Sequence, residues 1–258
     1  MNIETINFHI MDKYDNLFLI QSLVAPCYSD SNFMSSKITE AVSGETVKII
    51  EEKKDWIFIE QSDGYKSWIK EFYGTKKNKL FFPEHLSVDV WPIPFGTRLK
   101  YMDGNYFTSQ GDLYNYKIEP VKLGNKLGAV SVMNYAKRLI GCPYRWGGKT
   151  SLGFDCSGFV QSVYLAAGIL LPRDSWQQSD FLKDRHIDGD LSKPGDLHFF
   201  GKNGKISHVG ISTGGFGIIH CQGWVKEESF SPEQDIYHNA VLEDMYMHTC
   251  TLELNSNR

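Results

Sequence analysis

One cysteine, Cys156, lies in the Asp-Cys-Ser-Gly run at 155–158, between a glycine-rich turn and an apolar run with helical spacing. A thiol at a helix N-terminus is close to unpaired backbone N–H groups, whose partial positive charge favours the thiolate. Because the thiolate is the nucleophilic form of cysteine, this stretch predicts nucleophilic catalysis by Cys156.

Two histidines downstream supply the other groups that such chemistry needs. A cysteine hydrolase requires an imidazole that exchanges protons with the thiol and the leaving amine, and a third group that orients this imidazole. His208 lies in a strand-like run at 206–211, 52 residues after Cys156, and His220 lies in the next strand-like run at 218–221. Adjacent antiparallel strands place such residues side by side on one face. We therefore expect the helix that begins at Cys156 to pack over that face.

The elements that must position these groups follow from the apolar periodicity. Ser131 is placed to cap a first helix that Gly141 ends, and a second helix runs from about Cys156 to Ala167. Strand-like runs follow at 197–200, 206–213 and 217–222. Helices followed by an antiparallel sheet predict an α+β domain.

The first half of the chain has a different pattern. Residues 18–73 contain short β-type runs broken by turn residues, among them an Asp-Gly pair at 63–64. Alternating apolar and polar positions around such turns predict antiparallel hairpins, and short strands that close on themselves make a compact barrel. The runs Gly-Glu-x-Val-x-Ile, Asp-Trp-Ile-x-Ile and Gly-Tyr-x-x-Trp-Ile occur in that order and resemble a bacterial SH3-like domain.

The predicted organisation has four parts. They are an N-terminal extension at 1–17, an SH3-like domain at 18–76, a second, divergent SH3-like domain at 77–128, and a catalytic domain at 129–258. The second SH3-like copy is indicated by the Gly-Thr-Arg-Leu-Lys-Tyr run at 96–101 and the Gly-Asn-Tyr-Phe run at 104–107.

Composition argues against several classes of protein. The 258 residues are 41% apolar and 22% charged, as in an ordinary globular protein. A net charge of −4 without a long basic run argues against a nucleic-acid partner.

No stretch approaches the roughly 20 apolar residues of a membrane span, and the first residues lack a signal-peptide pattern. Five cysteines without a Cys-x-x-Cys pair argue against a disulfide framework or a zinc site. We expect a cytoplasmic protein that needs no metal or cofactor.

Five motifs in the second half of the chain, taken in order, resemble the NlpC/p60-type cysteine peptidases of bacterial cell-wall metabolism. The motifs are Tyr144-x-Trp146-Gly147-Gly148, Asp155-Cys156-Ser157-Gly158, Pro172-Arg173-Asp174-Ser175-x-x-Gln178, Pro194-Gly195-Asp196-Leu197 and Ser207-His208-Val209-Gly210-Ile211. The resemblance implies a papain-like fold with Cys156 as nucleophile, His208 as base and His220 as the orienting residue. It also implies hydrolysis of the bond between γ-D-glutamate and a diamino acid in peptidoglycan stem peptides.

The same resemblance implies which side chains bind the substrate. Family members that carry SH3-like modules act on stem fragments with a free N-terminal L-Ala, and these modules help close one end of the groove. The implied contacts are Tyr144, Asp155, Ser157 and Ser175 in the catalytic domain, and Glu40 and Tyr73 in the SH3-like part. A carboxylate can pair with the free ammonium group, and hydroxyls can bind a carboxylate. The expected partners are peptidoglycan-derived peptides, in murein peptide recycling or cell-wall turnover.

Alternative interpretations keep parts of this pattern. A catalytically inactive wall-binding or scaffold protein would retain the fold, and an amidase or acyltransferase would use the same Cys-His chemistry on another bond. The residues alone leave open whether the diamino acid is meso-diaminopimelate or lysine, and what the oligomeric state is. Cys27, Cys142, Cys221 and Cys250 are expected to be buried small hydrophobes, and His198 is expected to be a core or groove-edge residue.

Overall fold

The computed structural model describes residues 16–77, 83–234 and 236–254. The chain divides into two compact units, Met1–Asn125 and Lys126–Arg258, called here the N-terminal and C-terminal units. The predicted N-terminal extension at 1–17 lies outside the described residues except for its last two positions.

The N-terminal unit is built from antiparallel strands. Strands β1 to β7 form a seven-stranded sheet in the order β3-β2-β6-β5-β4-β1-β7, and β8 to β11 form a four-stranded sheet in the order β10-β9-β8-β11. A 3₁₀ turn lies at Glu71–Tyr73. The strands are β1 (Leu17–Ile20), β2 (Val24–Tyr28), β3 (Lys37–Val42), β4 (Thr46–Lys53), β5 (Trp56–Glu60), β6 (Lys66–Lys70), β7 (Gly74–Lys77), β8 (His85–Leu86), β9 (Arg98–Met102), β10 (Asn105–Phe107) and β11 (Val121–Lys122).

Alternation along the strands builds the core of the larger sheet. In β4, Val47 and Ile49 are buried while Thr46 and Lys48 are partly exposed, as the two-residue period of a strand requires. The sheet order runs from β3 to β7 without a pairing between these two strands. The sheet is therefore not closed, and the predicted SH3-like barrel is not confirmed.

A buried ion pair connects the two sheets of the N-terminal unit. Arg98 of β9 donates from Nη2 to Oε1 of Glu45 at 3.1 Å, and both side chains are buried. The smaller sheet has its own apolar cluster of Leu99, Tyr106 and Tyr114. The interpretation of residues 77–128 as a second SH3-like domain stays a prediction.

The C-terminal unit combines helices with a six-stranded antiparallel sheet in the order β14-β19-β15-β16-β17-β18. A short hairpin pairs β12 with β13, and a 3₁₀ turn lies at Gly189–Leu191. The elements are α1 (Ala129–Arg138), β12 (Lys149–Thr150), β13 (Gly153–Phe154), α2 (Cys156–Ala166), α3 (Ser175–Phe181), β14 (His186–Ile187), β15 (Leu197–Lys202), β16 (Lys205–Gly214), β17 (Gly217–Gln222), β18 (Trp224–Ser229), α4 (Ala240–Met245) and β19 (Tyr246–Cys250).

The predicted helices and strands of this unit are present, with ends that lie within three residues of the predicted ones. β17 has its predicted bounds, and α2 begins at Cys156 as predicted. The first helix begins at Ala129, so Ser131 lies inside it and is not its cap. The reason is that the carbonyl of Gly128 already accepts the N–H groups of Ser131 and Val132, at 3.1 and 3.3 Å. Among the helices of the described ranges, none has the length and apolarity needed to cross a membrane.

Candidate active site

Cys156 is held at the first position of α2, a helix with an almost entirely buried surface. Asp155 is the N-cap, and its Oδ1 accepts the backbone N–H of Gly158 at 2.7 Å. Such a cap satisfies one of the orphan donors of the first turn. Phe159 and Val163 are fully buried on this helix. Burial and capping together fix the place of the Cys156 backbone.

Two glycines allow the Gly-Gly turn to pack directly on the start of α2. A Cβ at Gly158 would lie 2.1 Å from the carbonyl oxygen of Gly148, and a Cβ at Gly148 would lie 2.2 Å from that of Gly153. Neither position has room for a side chain. The contact is completed by the N–H of Asp155, which donates to the carbonyl of Gly148 at 3.0 Å. The absence of a side chain at Gly148 and Gly158 therefore permits this close backbone approach.

A buried ion pair also holds the residues at the start of α2. Arg173 is 1% exposed and donates to both carboxylate oxygens of Asp155, at 2.6 Å to Oδ2 and 3.1 Å to Oδ1. The same guanidinium donates to Oγ of Ser157 at 3.0 Å. Gln178 adds a bond from Nε2 to the carbonyl of Ser157 at 3.1 Å. The charge of Asp155 is therefore balanced within the fold.

The structure brings His208 and His220 together on neighbouring strands β16 and β17. Nε2 of His208 lies 2.8 Å from Nδ1 of His220, and the two rings meet edge to face. Nε2 of His220 lies 2.9 Å from Oε2 of Glu228 on β18, so both of its ring nitrogens are engaged. All three side chains are buried. The order of strands in the sheet thus produces a chain of hydrogen bonds, His208–His220–Glu228.

Glu228 was not identified from the sequence. It follows Glu227, which is exposed on the same strand, and composition does not distinguish these two glutamates. The sequence signal that could have distinguished the two glutamates is the two-residue period of a strand, because the side chains of neighbouring residues point to opposite faces. Two further donors reach Glu228: Nζ of Lys226 at 2.8 Å and Nδ2 of Asn239 at 2.7 Å.

The Cys156 thiol lies beside the strand segment that carries His208. The backbone N–H groups of Val209, which follows His208 directly, and of Ser157 lie close enough to the thiol to lower its pKa. Burial raises the pKa of Cys156 to about 12, with a smaller contribution from the Asp155 carboxylate, whereas these N–H groups and Arg173 lower it. Burial, with a smaller contribution from His220, lowers the pKa of His208 to about 3. The effect of burial on the Cys156 pKa therefore outweighs the effect of the helix N-terminus. The structure favours a neutral thiol beside a neutral imidazole, instead of the thiolate expected from the sequence.

Of the four predicted substrate contacts of the C-terminal unit, Tyr144, Asp155 and Ser157 lie near Cys156. Tyr144 is 38% exposed, and burial of its phenol together with the nearby Cys156 and Asp155 raises its pKa to about 12. Asp155 and Ser157 flank Cys156 and are both bonded to Arg173. Ser175 is buried at the first position of α3. Their contacts with a substrate stay predictions, and any contact by Asp155 would be added to its ion pair.

The two contacts predicted from the SH3-like part lie in the N-terminal unit. Glu40 of β3 is 1% exposed and accepts Nζ of Lys37 at 2.6 Å. Tyr73 packs against the core of the seven-stranded sheet, and burial raises the pKa of its phenol. A role of either side chain in substrate binding stays a prediction.

The remaining cysteines and His198 have the predicted environments. Cys27, Cys142, Cys221 and Cys250 are buried free thiols. His198 is fully buried, with Nδ1 2.8 Å from Oγ1 of Thr249, which confirms it as a core residue.

One group of potential metal ligands occurs among the described residues: His186, His248 and Cys250, with ligand atoms within 4.8 Å of one another. Nε2 of His248 is already 3.0 Å from Oγ of Ser179. Burial raises the pKa of Cys250 to about 12, which disfavours the thiolate that metals bind. The expectation of no metal stays a prediction.

Comparison with known proteins shows what the chain is similar to. Residues 141–246 match the model of the NlpC/P60 family. A gamma-D-glutamyl-L-lysine dipeptidyl-peptidase of Bacillus subtilis is 29% identical, in an alignment that covers 70% of this chain and 71% of that protein. A protein of the same description from Bacillus cereus is 26% identical, over 70% of this chain and 66% of its own length. The chain thus spans about two thirds of each of these relatives.

A solved structure supports the fold of the chain. The crystal structure of an NlpC/P60 family protein from Bacillus cereus superposes with a TM-score of 0.76, covers 92% of this chain and 99% of its own, and is 20% identical. The fold is mixed α and β, consists mostly of strands, and is similar to the fold of this NlpC/P60 family protein. Cys156, His208 and His220 all lie within residues 141–246, the part of the chain that matches the model of the NlpC/P60 family.

Proposed function

We propose that the C-terminal unit is a cysteine peptidase that hydrolyses the bond between γ-D-glutamate and the diamino acid of peptidoglycan stem peptides. The observation that carries this proposal is the Cys156 thiol beside the strand that bears the hydrogen-bonded His208–His220 pair. The reaction and substrate class follow the two dipeptidyl-peptidases that align with this chain. Free peptides released in murein recycling in the cytoplasm are the proposed substrates.

The reaction begins with transfer of the Cys156 thiol proton to His208 as the sulfur attacks the γ-carbonyl carbon of D-glutamate. The carbonyl oxygen becomes an oxyanion, and the backbone N–H of Cys156 can stabilise it, because the first N–H groups of a helix have no partner within the helix. His208 returns its proton to the amine as the C–N bond breaks. Water then hydrolyses the thioester, which releases the L-Ala-γ-D-Glu dipeptide and restores the thiol.

The protonation states favoured by the structure suit this sequence of steps. Burial raises the pKa of Cys156 and lowers the pKa of His208, so the proton remains on sulfur in the free protein. The proton then moves during the attack. A buried Arg173 near the thiol lowers the Cys156 pKa and therefore favours the negative charge that develops on sulfur.

Substrate recognition is proposed at the groups that surround Cys156. Tyr144 is the most exposed of the four predicted contacts in this unit and is available to a peptide. Ser157 and Ser175 would offer hydroxyls to the α-carboxylate of D-glutamate. Glu40 and Tyr73 are proposed to help hold the free N-terminal amine.

The test is a peptide panel incubated with the purified full chain. L-Ala-γ-D-Glu-meso-diaminopimelate and L-Ala-γ-D-Glu-L-Lys are compared with forms blocked at the N-terminus, and the products are identified by mass. Release of the diamino acid from a free tripeptide is expected, with cleavage lost in Cys156→Ala and retained in Cys27→Ala, which alters a buried thiol of the N-terminal unit. Release of ammonia or an acyl-transfer product instead would indicate the amidase or acyltransferase alternative. Binding to cell-wall material without any product would indicate the inactive alternative.

A further inference from the structure

The His208–His220–Glu228 chain has a direction that its end groups determine. An ionised carboxylate can only accept hydrogen bonds, so the nitrogen of His220 that faces Glu228, Nε2, must carry a hydrogen. In a neutral imidazole one nitrogen donates and the other accepts, and Nδ1 of His220 is then the acceptor. Nε2 of His208, 2.8 Å away, must therefore be the donor.

Three donors keep Glu228 ionised. Nε2 of His220 and Nδ2 of Asn239 both bond to Oε2, at 2.9 and 2.7 Å, and Nζ of Lys226 bonds to Oε1 at 2.8 Å. Burial raises the pKa of Glu228, but the hydrogen bonds from His220, Lys226 and Asn239 act in the opposite direction and bring it to about 2. Glu228 is therefore a carboxylate near neutral pH.

The side chain of Asn239 is itself oriented by the fold. Asn239 is the N-cap of α4, and its Oδ1 accepts the backbone N–H groups of Val241 and Leu242 at 3.1 and 3.2 Å. Because its oxygen is used there, its amide nitrogen must point to Glu228. A helix cap thus places a donor on the carboxylate and holds it 2.9 Å from His220.

We propose that Glu228 is a positioning residue, which directs the hydrogen bonds of His220 and His208 so that Nδ1 of His208 carries the lone pair that accepts the Cys156 proton. The assignment rests on the proposed function, because the proton transfer belongs to that reaction. The hydrogen bond at one ring nitrogen decides which nitrogen of a histidine carries the proton. When His208 becomes charged in the reaction, the negative Glu228 also stabilises that charge through His220.

Two substitutions of Glu228 separate its effect on the direction of the hydrogen bonds from the effect of its negative charge. Glu228→Met keeps the length of the side chain but removes the acceptor, so both histidines should populate mixed tautomers. Glu228→Gln loses the charge and keeps one oxygen that can still accept from His220. Glu227→Met, on the neighbouring exposed residue of the same strand, is the matched control.

The direct readout is ¹⁵N NMR of protein labelled at histidine, recorded near pH 7.5. In the wild-type protein and in Glu227→Met, both His208 and His220 should be protonated on Nε2 and unprotonated on Nδ1. Glu228→Met should shift both rings toward a mixture, and Glu228→Gln should retain the wild-type tautomers. Protonation of His220 on Nδ1 in the wild-type protein would overturn the proposal, whether or not any variant folds.

Kinetics on the cleaved tripeptide provide the second readout. We expect kcat to fall about 10–100-fold in Glu228→Met, as for partners that orient a functional histidine, with KM little changed and a smaller loss in Glu228→Gln. Equal kcat in Glu228→Met and Glu227→Met would overturn the role of Glu228. If the wild-type protein cleaves none of the peptides, the proposed function fails, while the NMR spectra still decide the direction of the hydrogen bonds.

Discussion

Nε2 of His208 lies 2.8 Å from Nδ1 of His220, and the two buried rings meet edge to face on neighbouring strands. In this arrangement His220 cannot reach the Cys156 proton in place of His208, because both of its ring nitrogens are already bonded, to His208 and to Glu228. The two histidines therefore have different roles, although they have the same chemistry.

Replacement of His220 by alanine should remove most of the activity while the substrate still binds. His208 would lose the partner that orients its ring, and loss of an orienting group in a comparable triad costs up to about 10⁴-fold in kcat. We expect a fall of at least about 100-fold in kcat with KM within a few fold of the wild-type value. Steady-state hydrolysis of the tripeptide measures both constants.

His238→Ala is the control for that substitution, because His238 also pairs with a glutamate, Glu243 at 2.8 Å, but is not part of the chain to Cys156. It should retain wild-type kcat. An equal loss in the two variants would show that the effect of His220→Ala is a general loss of stability.

Alkylation of Cys156 in the free protein should increase steadily with pH. Burial raises the pKa of this thiol to about 12, so the thiolate is scarce at neutral pH and becomes more abundant as the pH rises. The rate of reaction with iodoacetamide should therefore still be rising at about pH 9. Cys156→Ala identifies the labelled residue by the loss of that adduct in the mass spectrum. A rate that is already constant from about pH 5 to 7 would instead indicate a preformed thiolate–imidazolium pair.

Loss of the Arg173 guanidinium should strongly destabilise the C-terminal unit. Arg173→Met leaves the carboxylate of Asp155 without its buried partner, and breaking one side of a buried pair costs about 3–5 kcal/mol. We expect Arg173→Lys to restore only part of the lost stability, since an ammonium group cannot form the bidentate contact with the Asp155 carboxylate. Urea unfolding of the full chain, followed by a probe in the C-terminal unit, measures the change.

The matched control for Arg173 is Arg185→Met. Arg185 pairs with Glu253 at 3.7 Å with both side chains exposed, and such pairs contribute about 0–1 kcal/mol. Similar losses in Arg173→Met and Arg185→Met would contradict the structural role of the Asp155–Arg173 pair.

Acid should destabilise the C-terminal unit partly through His198. Burial lowers the pKa of His198 to about 3, so the folded state holds the ring neutral while the unfolded chain protonates near pH 6.5. A lowered histidine pKa contributes stability above the unfolded value and loses it as the pH falls. From pH 7 to 5 the expected loss from this residue is about 2 kcal/mol.

The measurement is the free energy of unfolding at the two pH values in the wild-type protein and in His198→Leu. The difference between the two pH values should be about 2 kcal/mol smaller in the variant. His238→Gln, which changes a partly exposed imidazole, should keep the wild-type difference. An unchanged pH dependence in His198→Leu would show that the buried ring is not held neutral.

Local patterns in the sequence were enough to identify much of the second half of the chain. The start of α2 at Cys156 and the bounds of β17 were predicted, because helical periodicity and strand alternation depend on neighbouring residues. The predicted cap at Ser131 was wrong because the N-cap is Gly128, three residues earlier than the side-chain pattern indicates. In the first half, the strands around Val47 and Ile57 were predicted, but the closed barrel was not confirmed, since closure depends on pairing between distant strands.

The sequence by itself determined which residues can react: a cysteine at a helix start and two histidines on successive strands. Only the tertiary structure decided the protonation states and hydrogen-bond partners of these groups, because folding buries them and brings together residues far apart in the chain. Asp155 meets Arg173 across 18 positions, and His220 meets Glu228 rather than Glu227 because alternate residues of a strand face opposite sides. The same packing buries His208 and leaves Cys156 only partly exposed, and this desolvation opposes the charge separation that the helix start alone would favour.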